Sequence, residues 1–117
     1  MSEDWARPVV HWEIQARDPA KIRAFYAAMF NWAIGEGPVM GIPAGVGAPE
    51  QGPAGHILPG GTSRVVLYIQ VRDLRESMDR ATSLGGTIHR EPFDVPGGPT
   101  IAGIADPEGN PVVLVQQ

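Results

Sequence analysis

The stretch Ile14-Gln15-Ala16-Arg17-Asp18 returns 55 residues later as Ile69-Gln70-Val71-Arg72-Asp73, with four identities in five positions. A run of strand formers precedes each copy and a helix signal follows it, so the order of elements repeats as well as the letters. Around the first copy, residues 8–16 alternate. Val10, Trp12, Ile14 and Ala16 share one face, and Val9, His11, Glu13 and Gln15 share the other. Asp18-Pro19 then supplies an N-cap with proline at the first helical position. Ile22, Phe25, Tyr26, Met29 and Phe30 follow at helical spacing and, with Trp32, read as a buried apolar stripe.

Around the second copy, residues 64–71 read as a strand and Asp73 to Glu76 as a cap with its capping-box acid. A helix carrying Leu74, Met78, Ala81 and Leu84 stops at Gly85-Gly86. Residues 87–95, 100–105 and 111–116 complete three more strands, the last pair joined by the turn Asp106-Pro107-Glu108-Gly109-Asn110. In the first half, 14 of the 27 residues from Gly35 to Gly61 are Gly or Pro, which leaves room only for short strands near residues 39–42 and 55–58.

Each half therefore reads β-α-β-β-β, with module one at about residues 7–61 and module two at about 62–117 of a single domain spanning 1–117. The expected class is α+β: two βαβββ modules forming a curved, half-open, eight-stranded barrel-like sheet, helices on the convex side and a cavity on the concave side.

Composition removes several functional classes. A net charge of -4 with a single lysine, Lys21, argues against a nucleic-acid surface, which needs clustered cations. Without cysteine there is no disulfide, no thiolate nucleophile and no sulfur ligand, so a metal would need His, Glu or Asp. The N-terminus lacks the pattern of a signal peptide, and no run reaches the ~18 apolar residues of a spanning helix. A cytoplasmic location without a membrane partner is the expectation.

His11-Trp12-Glu13-Ile14, Asp18-Pro19, Phe25-Tyr26, Phe30-Asn31-Trp32 and Asp106-Pro107-Glu108-Gly109-Asn110 resemble the recurrent signposts of the vicinal oxygen chelate superfamily, which embraces glyoxalases, bleomycin-resistance proteins and dioxygenases. The resemblance spans nearly the whole chain and is weakest between Gly35 and Gly61. It implies the curved-sheet fold, a homodimer, and a small-molecule cavity on the concave face. It does not imply one activity, because the fold serves isomerases, epimerases, dioxygenases, thiol transferases and drug-binding proteins.

The family's metal scheme maps onto this chain incompletely. His11 matches the first-strand ligand, but its counterpart on strand five is Val66, and the strand-eight position falls on Val113. Neither valine can ligate. The remaining counterpart is Leu58, with His56 two residues earlier on the same strand face, so a register difference would bring that imidazole into the pocket. Catalytic divalent sites use about three protein ligands, and His11 alone is well placed. The expectation is no cofactor, with a divalent metal possible at His11 only if Glu13, His56 or a partner chain completes it. His89 reads as a surface or strand-pairing residue.

Two functional readings remain open. In the first, the cavity binds a small organic molecule without catalysis, Gln15, His56, Gln70, Val66 and Val113 lining it. In the second, His11, Glu13 and Tyr68 act as acid-base groups of a lyase, isomerase or oxygenase: a carboxylate beside an imidazole can abstract a proton next to a carbonyl, and a tyrosine can stabilise the oxyanion. A bland alternative makes Glu13 and the two glutamines solvated residues of a wet sheet face.

Overall fold

A computed structural model describes residues 6–44 and 52–117. The order of elements is β1 (Val9–Ala16), α1 (Pro19–Phe30), β2 (Met40–Ile42), β3 (Gly55–Pro59), β4 (Arg64–Val71), α2 (Leu74–Ser83), β5 (Thr87–Asp94), β6 (Thr100–Ala105) and β7 (Pro111–Gln116). This is the α+β class, with parallel and antiparallel strand pairs and a helix after the first strand of each half. The chain divides into two compact units, one of residues His11–Val66 and one of Met1–Val10 with Leu67–Gln117.

In the first unit the strands run in the order β2-β3-β1. β1 and β3 are parallel, with Trp12 opposite Gly55 and Glu13 opposite His56. Gly55 is there because nothing larger fits: a Cβ would lie 2.5 Å from the Trp12 indole. Ile14, Ala16, Ile34, Ile42 and Ile57 form the core, covered by Trp12, Ile22, Tyr26 and Ala27. The alternation read on β1 thus holds, with its apolar face under α1. Asp18 caps that helix by accepting from the Lys21 amide, and Asn31 closes it in the left-handed conformation.

The apolar stripe expected on α1 is not buried. Phe25, Met29 and Phe30 are 57, 64 and 49 % exposed. The helix leans on the sheet through Ile22, Tyr26 and Ala27, and the aromatic residues stack on one another, Tyr26 against Trp32 with centroids 5.8 Å apart. Helical spacing identified a cluster and mistook its outer half for core.

Among the described residues the strands number seven, against the eight expected. No strand forms at residues 32–39, the 55-residue counterpart of β5. Pro38 has no amide to donate and Gly37 takes a φ of 106°. The Ile34 and Gly35 carbonyls accept from the Arg23 guanidinium on α1 instead of from a neighbouring strand.

In the second unit the order is β4-β7-β6-β5, with β4 and β7 parallel and the other pairs antiparallel. Val71, Leu74, Met78, Ala102 and Leu114 form its core beneath α2. Asp73 caps α2 through the Glu76 amide, and Gly85, at φ 96°, turns the chain out of it. Asp106 ties the β6–β7 turn by accepting from the amides of Glu108 and Asn110.

Candidate functional site

The polar face of β1 projects away from the α1 core, and β3 lies beside it in a register that sets His56 opposite Glu13. Four residues singled out from sequence meet there. His56 Nε2 donates to Glu13 Oε1 at 2.9 Å, and His11 Nε2 lies 2.7 Å from His56 Nδ1. Gln15 Nε2 donates to Glu13 Oε2 at 2.6 Å. A fifth residue joins them: Arg64 Nε donates to Gln15 Oε1 at 2.7 Å.

With Glu13 ionised, His56 donates to it through Nε2. When His56 is neutral its Nδ1 accepts and His11 donates through Nε2; when it is charged the direction of that bond reverses. Two arms of donors converge on one carboxylate, one through His56 from His11 and one through Gln15 from Arg64.

Glu13 is only 5 % exposed, the buried charged residue at the centre of this arrangement. It is not the solvated residue of a wet face. Burying a carboxylate costs several kcal/mol unless its lone pairs are satisfied, and here the two arms satisfy both oxygens. Burial and the neighbouring His56 hold the His11 imidazole below its ordinary pKa, outweighing the opposite pull of Glu13. His11 therefore favours its neutral form.

Val66 is buried, at 2 % exposure. Tyr68 and Gln70 belong to the second unit, half-buried on β4, where Tyr68 pairs in register with Val113 and Gln70 with Val115 of β7. His89 is exposed on β5. Arg64 was missed, although its parity on β4 puts it in step with Val66, Tyr68 and Gln70, which was the available signal.

The family's metal chemistry does not fit these residues. Among the described residues no three His, Cys, Asp or Glu side chains are grouped to hold a metal ion. His11 and His56 face each other at hydrogen-bonding distance, and Glu13 engages the far nitrogen of His56.

Such a chain is a small α+β protein with a histidine–carboxylate array on its first and third strands. It belongs to the glyoxalase-like domain family, whose model matches residues 11–115. A glyoxalase/bleomycin resistance protein/dioxygenase superfamily member from Vibrio splendidus superposes with a TM-score of 0.65 at 15 % identity, covering 95 % of this chain and 98 % of that one. Methylmalonyl-CoA epimerase from Mycobacterium tuberculosis gives 0.62 at 15 %, covering 92 and 86 %. The Mn(II)-bound glyoxalase from Novosphingobium aromaticivorans gives 0.59 at 20 %, covering 94 % of this chain but 38 % of its own. At these identities the likeness is one of fold, a fold that includes enzymes and a metal-bound protein. No protein of curated function matches the sequence. No described helix is long and apolar enough to cross a membrane.

Proposed function

We propose that the chain binds a small, partly apolar organic molecule against the polar face of β1, anchoring it by hydrogen bonds to the imidazole array rather than through a chelated metal. The observation that carries this reading is the buried Glu13 carboxylate, both of whose oxygens are taken by the chain's own donors. A carboxylate so occupied serves to hold His56, and through it His11, in one orientation before any ligand arrives, which is what a preformed polar anchor requires. Gln15 and His56 belong to that anchor. The lining roles of Gln70, Val66 and Val113 rest on the residue pattern alone.

A second reading has one observation in its favour. The lowered pKa of His11 keeps its ring neutral near pH 7 and able to take a proton, with Glu13 behind His56 to stabilise the resulting charge. In that reading the protein is a proton-transfer enzyme of lyase or isomerase type, with Tyr68 as oxyanion donor by residue pattern. Pairing of two copies belongs to the same proposal, supported by the exposed Phe25, Met29 and Phe30 of α1.

Protein purified without chelator is to be analysed by native mass spectrometry and metal analysis. A co-purified organic molecule with substoichiometric metal is expected. Stoichiometric divalent metal that disappears in His11→Ala overturns the metal-free reading. Exchange of a ketone's α-hydrogen for deuterium in heavy water, abolished in the same variant, promotes the enzyme reading over simple binding.

A further inference from the structure

We infer that Arg64 is the specificity-determining residue of this face, and that the molecule held there is an organic anion. The inference deepens the binding reading above and rests on it. Arg64 spends its Nε on a neutral amide oxygen, Gln15 Oε1 at 2.7 Å, and among the described residues no carboxylate lies within ion-pair distance of it. Its charge is not cancelled by a salt bridge. With Nε engaged, the paired terminal nitrogens form the remaining edge of the fork, the geometry that grips a carboxylate through two parallel hydrogen bonds.

The guanidinium is also held rather than loose. Gln15 is fixed at its other end by Glu13 Oε2, and Glu13 by His56, so Arg64 is the outer end of a chain rooted in a buried residue. An ordinary surface arginine must lose much rotamer freedom to bind an anion, whereas this one has lost part of it already. Glu13 is bonded to His56 and Gln15, and its link to Arg64 runs through the neutral Gln15 amide. In a chain of net charge -4, a fixed and unpaired cation is a local attractor for anions against an unfavourable overall field.

Geometry also limits the size of the ligand. His11 and Gln15 lie four residues apart on one face of β1, which is about 13 Å along an extended strand. A molecule that reaches from the imidazoles to Arg64 is elongated, with the anionic group at one end.

Octanoate and octanol are the matched probes, alike in chain and different in charge. Their binding is followed by NMR through the imidazole signals of His11 and His56 and the Nε–H signal of Arg64. Octanoate is expected to bind about tenfold more tightly than octanol, as one charge-assisted contact implies, and to move the Arg64 signal. Arg64→Met is expected to remove the preference by lowering octanoate affinity about tenfold, while Arg64→Lys keeps part of it. The imidazole signals of the probe-free variants check that the array remains formed. Equal affinity for the two probes, or a preference that survives Arg64→Met, overturns the assignment to Arg64 while leaving the binding reading intact. Failure of both probes to move either imidazole overturns the binding reading and this inference with it.

Discussion

Glu13 shows what one buried carboxylate imposes on its surroundings. Four side chains are drawn into fixed positions by the need to satisfy two oxygens, while burial, with His56 beside it, holds the His11 pKa below its ordinary 6.5 against the pull of Glu13. The unfolded chain therefore binds a proton at His11 before the folded chain does. Stability from this source is fully present above about pH 6.5 and falls as the pH drops from there toward the lower folded value. Urea midpoints measured between pH 7.5 and 5.5 are expected to decline, and His11→Asn is expected to flatten that decline. An unchanged slope in the variant assigns the effect to another group. His11, Glu13 and Gln15 could be read as one face of a strand from alternation alone. Arg64 shares the parity of Val66, Tyr68 and Gln70, but its bond to Gln15 was not legible, because that depends on how far a long side chain reaches.

At the scale of elements, the decisive contact is the pairing of β1 with β3. His56 meets Glu13 only because Trp12 stands opposite Gly55, and a one-residue slip would turn His56 to the other face of the sheet. Sequence left that register open, since it allowed His56 a place in the pocket without determining it. The lock is the indole lying where a Cβ would be. Gly55→Ala is expected to destabilise the protein by about 1–3 kcal/mol through overpacking, with a shifted Trp12 fluorescence and weakened imidazole hydrogen bonds. A variant as stable as the parent, with unchanged imidazole signals, would show that Trp12 moves aside freely. The helices were legible from their caps, Asp18-Pro19 and Asp73, whereas the burial of α1 was not. Periodicity reports which residues share a face, and not how deeply that face sinks.

For the whole molecule, the repeat predicted the α+β class with a helix after the first strand of each half, as found, and departures from it mark where the halves diverge. The first half lacks a strand where Pro38 and Gly37 interrupt the pattern, and it carries every member of the hydrogen-bonded array except Arg64. It also presents Phe25, Met29 and Phe30 outward. If that surface joins two copies, Met29→Lys is expected to convert a sedimenting dimer to monomer while the urea midpoint of the monomeric fold moves by no more than about 0.5 kcal/mol equivalent, as for other exposed substitutions. A native chain that sediments as a monomer at high concentration would remove the dimer from the proposal.

The short bond between the two imidazoles has one more consequence. A hydrogen bond at 2.7 Å needs one nitrogen with a proton and one without. Were both rings fully protonated, two N–H groups would point at each other across that gap. As long as the bond stands, one proton and not two lies between the facing nitrogens, so the rings hold each other's orientation only as a donor and an acceptor.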